Sequence, residues 1–220
     1  MYNTFFYIII PYLCVAVFIT GIVYGITRGR LAISAPATGF FEKRKLFWGI
    51  TAWHYAIVII LTGHLLGFLF PKAVMNILSG YKIMFAAEAL AFGLGLAAFL
   101  GTVILLFRRI TEKTVSKNSN FADYFILIIL LIQVILGLST AANYRWGINW
   151  YASHMSGYLK SLITFAPDVS YAAGMPGVVT AHIVTGFLIL AVLPFTRLMH
   201  LVFVPVGYFF RKPQQIIFHK

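Results

Sequence analysis

The chain has 220 residues, 61% of them hydrophobic and 10% charged, with a mean hydropathy of +0.91. Soluble domains sit near ~45–50% apolar and ~25% charged, so an ordinary globular fold is excluded. The length allows about five or six membrane spans with short connections. Seventeen Lys and Arg against five acidic residues give a formal +12; in so apolar a chain this reports loop charges that set topology, not a nucleic-acid surface. The single cysteine, Cys14, excludes a disulfide framework, a Cys-ligated cluster and C-x-x-C-H attachment of haem. It reads as a small apolar residue within a helix.

The predicted fold is all-α: one integral membrane bundle over 1–220, with five transmembrane helices near 4–26, 46–70, 82–107, 121–142 and 177–204. The first stretch lacks a basic n-region and a small-residue cleavage site, and is too long for a signal peptide. Pro71 and Pro205 are placed to close the second and fifth spans.

The cations fall unevenly between these spans. Arg28, Arg30, Lys43, Arg44 and Lys45 share the first loop, and Arg108, Arg109, Lys113 and Lys117 the third. Arg211, Lys212 and Lys220 lie in the tail. Only Lys72, Lys82, Arg145 and Lys160 fall on the other side, and Arg197 lies within the last span. The positive-inside rule then puts the N-terminus outside and the C-terminus in the cytoplasm. The outer 143–176 loop carries Tyr144, Trp146, Trp150, Tyr151, Tyr158 and Phe165, and predicts a short interfacial helix near 150–165.

Of six histidines, His154 and His219 fall in the outer loop and the tail, where a solvated or interfacial ring is ordinary. The other four lie in the second and fifth spans, where an ionisable side chain is costly and by default functional. The two helices run antiparallel, so His64 and His182 fall at similar depth in the outer half, and His54 and His200 in the inner half. Two pairs at two depths is the arrangement for two bis-histidine haems stacked across a membrane between helices 2 and 5. His182 and His200, eighteen residues apart, would share a face over ~27 Å of helix, whereas His54 and His64 are only ~15 Å apart. Tilt, side-chain reach or a kink at Pro194 would take up the difference. Gly63 and Gly67 flank His64, and Gly186 lies one turn after His182; each allows a flat macrocycle or a neighbouring helix to come close. Gly93, Gly95, Ala97, Ala98 and Gly101 on the third helix read as packing. A zinc site, which gathers its ligands at one level, fits less well.

These residues resemble the gamma, or cytochrome b, subunit family of membrane-bound respiratory nitrate reductases. The resemblance rests on G-H-L-L-G-F-L-F-P at 63–71, F-A-D-Y-F-I-L-I-I-L-L-I-Q-V-I-L-G-L at 121–138, H-I-V-T-G-F at 182–187 and P-F-T-R-L-M-H-L-V-F-V-P-V at 194–206. The stretch F-F-E-K-R-K-L-F-W-G at 40–49, leading to His54, is similar as well. It implies a multi-pass protein of the prokaryotic cytoplasmic membrane that binds two haem b and oxidises menaquinol or ubiquinol near the outer haem. Electrons would pass inward to an iron–sulfur subunit and then to a molybdenum catalytic subunit, where nitrate is reduced.

By resemblance His64 and His182 match the outer haem's ligands and His54 and His200 the inner one's. Arg109 and Arg197 match arginines beside the inner haem, where they could neutralise propionates. Lys82 is similar in position to a lysine at the quinol site, for which Gly63 and Glu88 complete the candidate set. Glu88 is the only carboxylate deep in a span, and it could take a quinol proton or hydrogen-bond a partner helix. Gln133 and Asp123 read as helix packing and helix capping. Two other readings stand beside this one. One is a related cytochrome b of another quinone-linked complex, for example in sulfur metabolism. The other is a haem-free anchor or proton relay.

Overall fold

The computed structural model describes residues 2–28, 43–145 and 147–201, apart from the side chains of 43–50 and His200. Trp146, Pro205, His219 and the cations of 29–42 and 202–220 lie outside the described residues. All regular structure among the described residues is helical, without a strand. Among the described residues five helices are long and apolar enough to cross a membrane. They are α1 (Tyr2–Thr27), α2 (Lys43–Leu69), α3 (Tyr81–Thr111), α4 (Phe121–Asn143) and the span Gly177–Phe195, whose α-helical part is α5 (Gly177–Val192). The first four follow the predicted spans to within a few residues.

Local chemistry sets the ends. Pro71 cannot continue α2; it opens a short helix, Pro71–Ile77, at its first position, where a missing N–H costs nothing. A capping box opens α4: the Asn120 side chain accepts from the Asp123 N–H, and the Asp123 carboxylate accepts from the Asn120 N–H.

The fifth span departs from prediction. A continuous helix over 177–204 does not form, because Pro194 has no N–H for the carbonyl one turn back. The α-helix stops at Val192, tightens into a 3-10 turn over Leu193–Phe195, and breaks at Thr196, whose backbone is extended (φ −123°, ψ 166°). A separate 3-10 turn, Arg197–Leu201, follows. His182 and His200 are therefore not five turns apart on one straight helix face.

The helices pack in an arc: α2 on α3, α3 on α4, α4 on α5, and α5 on α1. Small residues make these seams close. A Cβ on Gly95 would stand 2.8 Å from Leu138, and one on Gly21 2.7 Å from Pro194. Ala98 is fully buried, and Thr102, one turn on, accepts a 2.8 Å hydrogen bond from the Trp53 indole of α2. Such polar ties across apolar helices are the usual glue of membrane bundles. Among the described residues α2 and α5, which carry His54, His64 and His182, barely touch each other; α3 and α4 hold them apart.

The 144–176 connection holds the predicted helix, as Gly147–Trp150, a wide π turn Tyr151–Met155, and Ser156–Ile163. It does not merely rest at an interface. Tyr158 is fully buried and clusters with Tyr7, Met155, Leu162 and Ala172. The Tyr158 hydroxyl donates to the Tyr7 carbonyl at 2.7 Å, and the Tyr7 hydroxyl meets Thr180 of α5 at 2.6 Å. The first of these bonds has a sequence cause: the α-helical donor to the Tyr7 carbonyl would be residue 11, a proline.

Candidate functional site

His64 sits in the last turns of α2, with its Nδ1 2.8 Å from the carbonyl of Ile60. A carbonyl only accepts, so Nδ1 carries the proton and Nε2 keeps its lone pair, the form in which an imidazole ligates a metal. Tyr151 from the long connection packs against the ring. Its hydroxyl donates to the His64 carbonyl at 3.0 Å, and the two rings meet edge to face with centroids 5.1 Å apart. Burial pushes the Tyr151 phenol up, so it remains a donor at neutral pH.

His182 lies on α5, half-buried and turned toward α4. Its helix and that of His64 barely touch each other. Its Nδ1 is buried without a hydrogen-bond partner. Beside His64 a Cβ on Gly63 would meet nothing within 4 Å, whereas Gly67 is filled by the Tyr151 ring. Of the two glycines flanking His64, only Gly63 leaves open backbone for a flat ligand. Two imidazoles on helices held apart, one tautomer fixed and one beside open backbone, suit a bis-histidine haem.

His54 lies ten residues earlier on α2, exposed, its ring edge to face with Trp53 at 5.0 Å. Trp53 is itself fixed to Thr102. His200 falls in the 3-10 turn after the α5 break; its side chain lies outside the described residues.

Arg109 and Arg197, far apart in sequence, converge on one carboxylate. Asp123, 4% exposed, faces Arg109 Nη1 at 3.1 Å and Arg197 Nε at 3.4 Å. Arg109 also donates to Ser119, and Arg197 to the Asn118 carbonyl. Arg109 Nε is buried with no partner, one donor left for a further anionic group. Asp123 therefore caps α4, as expected, and joins two arginines as well.

Lys82 is exposed in the first turn of α3. Glu88, nearly two turns on, is half-buried and lines a small recess with Tyr81, Phe85 and Arg145. Its Oε1 is buried and unpartnered. The structure brings Glu88 to Arg145, and Lys82 does not line that recess.

Sequence reasoning did not single out Tyr151, Arg145 or Gly137, which faces His182. Tyr151 and Gly137 lay among residues ordinary for their setting, aromatics in an interfacial loop and a glycine in an apolar helix. Only tertiary contact distinguishes them.

Comparison with known proteins agrees with this architecture. The sequence model of the nitrate reductase gamma subunit family matches residues 3–219. The respiratory nitrate reductase 2 gamma chain of Escherichia coli K12 is 33% identical over 220 residues, covering 96% of this chain and 95% of that one. The nitrate reductase gamma chain of Bacillus subtilis 168 is 31% identical over 206 residues, 92% of each. The respiratory nitrate reductase 1 gamma chain of Escherichia coli K12 is 31% identical over 228 residues, 97% of this chain and 96% of that one. With five apolar helices and a match over nearly its whole length, this chain is a multi-pass bacterial membrane protein and belongs to the nitrate reductase gamma subunit family.

Proposed function

We propose that the chain is the quinol-oxidising dihaem cytochrome b subunit of a respiratory nitrate reductase. It anchors the complex in the cytoplasmic membrane and delivers electrons to an iron–sulfur subunit that serves a molybdenum catalytic subunit. The observation that carries the reading is the placement of His64 and His182 in two membrane-spanning helices that barely touch each other, with the His64 proton held by Ile60. His64 and His182 would hold the outer haem, and His54 and His200 the inner one. When bound, haem supplies a one-electron iron couple whose potential is set by histidine ligation and burial.

The chain's own side chains do the rest. The Ile60 carbonyl fixes the His64 tautomer, and the Tyr151 ring packs edge to face against the imidazole. The open backbone at Gly63 admits a planar group beside His64. Menaquinol or ubiquinol would enter from the bilayer toward Lys82 and the Glu88 recess. There the unpartnered Glu88 Oε1 would accept a hydrogen bond, then a proton, from a quinol hydroxyl. That side is outside by the charge distribution, so the protons leave outward. At the opposite end Arg109 Nε would offer a donor to a haem propionate, while Asp123 holds both arginines in place.

The test is His64→Ala and His182→Ala in the assembled complex. Each should lose one of two haems and quinol oxidation while the chain still inserts and copurifies with the catalytic subunits. A full haem complement with wild-type quinol oxidation in either variant rules the ligand assignment out. Copurification with a different catalytic partner redirects the electrons to another complex.

A further inference from the structure

The His182 ring rests on α4. Opposite it stands Gly137, where a Cβ would lie 3.0 Å from His182 Cε1 and 3.7 Å from both ring nitrogens. Carbon–carbon contacts are optimal near ~3.5–4.0 Å, so any side chain at 137 would displace the ring by about half an ångström. The contact is half of an interlock. One turn away the Gln133 side chain lies over Gly186 of α5, whose added Cβ would stand 3.4 Å from Nε2. Side chain sits on glycine at two successive turns, in opposite directions across one seam. The missing Cβ at 137 leaves the backbone of α4 open beneath the His182 ring. The Nδ1 of that ring is buried without a hydrogen-bond partner.

We propose that Gly137 is a positioning residue for the outer haem: α4 provides the notch that seats the His182 ring and sets its orientation. The inference rests on the haem-ligand reading of His182. A ligand imidazole must aim its lone pair at the metal, and the groups packed against the ring set that orientation. The ligand helices thus fix the height of His182, and the neighbouring helix fixes where its ring points.

The experiment compares Gly137→Ala, Gly137→Val and Gly93→Ala in the assembled complex. An added Cβ at 93 meets nothing within 4 Å, which makes that variant the control. Haem per chain and the low-spin electron paramagnetic resonance of each haem are measured, with a redox titration. Gly137→Ala should keep both haems but shift the resonance and midpoint of the outer one alone. Gly137→Val should lower the haem content from two per chain to one, and Gly93→Ala should match the wild type. Unshifted outer-haem resonance and midpoint in Gly137→Ala overturn the positioning role, whatever Gly137→Val does. If His182→Ala itself keeps both haems, the ligand reading has failed and this inference falls with it.

Discussion

Tyr151 reaches from the connection between α4 and α5 back to His64 on α2. It donates a 3.0 Å hydrogen bond to the His64 carbonyl and lays its ring over Gly67, where an added Cβ would stand 2.9 Å from two ring carbons. One side chain thus fastens the connection onto the helix turn that carries the histidine.

Removing only the hydroxyl, in Tyr151→Phe, should cost about 0.5–1.5 kcal/mol, the net worth of an ordinary hydrogen bond. The ring would still pack against the imidazole. Tyr151→Ala should cost roughly 3 kcal/mol, the low end for aromatic truncation, because the side chain is only half-buried. Thermal midpoints of the solubilised complex, read with haem retention, check both. Equal losses for Phe and Ala would mean that the ring contributes nothing.

Tyr158 predicts an alkaline limit for the same end of the bundle. Burial, and then the neighbouring Tyr7 and Tyr12, push its phenol above the ordinary tyrosine value. The folded state therefore keeps the proton to higher pH than the unfolded chain. This stabilisation is complete below pH about 10 and is lost as pH rises further, through the raised folded value. Tyr158→Phe should be less stable at pH 7 by about 1–3 kcal/mol, because the Tyr7 carbonyl loses its donor and Pro11 cannot replace it. Its stability should then fall less steeply above pH 10. Melting both forms from pH 7 to 11 decides it, and parallel curves would contradict the assignment.

The spans could be read from sequence because hydropathy and charge record the one solvent boundary that each helix must satisfy. The histidines stood out for a related reason: an ionisable ring within an apolar run is costly unless used. Pro194 was recognisable as a disturbance, but its outcome depended on the backbone that follows. The extended Thr196 turned a bend into a break and removed the common face expected for His182 and His200. Gly137 and Tyr151 gave no signal, since glycine in an apolar helix and tyrosine in a membrane-edge loop are the commonest of residues there. Asp123 was half legible. Its cap is written within four residues, whereas its arginines lie 14 positions before and 74 after it.

That carboxylate yields the last prediction. Asp123 is almost fully buried and ties the C-terminal end of α3, through Arg109, to the turn after α5, through Arg197, while it caps α4. Removing its charge leaves two guanidiniums facing each other beside an amide. Breaking a buried pair costs about 3–5 kcal/mol, discounted here to roughly 2–3 because both arginines are about a quarter exposed. Asp123→Asn should show that loss with the cap kept, since an asparagine oxygen still accepts from the Asn120 N–H. Asp123→Ala should lose about 1 kcal/mol more, because the Asn120 N–H loses its acceptor and only half of the capping box remains. Arg109→Lys should be intermediate, because an ammonium keeps the attraction but cannot also reach Ser119 from a planar fork. The thermal midpoints should fall in the order wild type, Arg109→Lys, Asp123→Asn, Asp123→Ala. Raising salt should narrow the gaps only slightly, since a buried pair is weakly screened. If Asp123→Asn melts with the wild type, the residue is a cap alone, and the convergence of the two arginines contributes nothing to the fold.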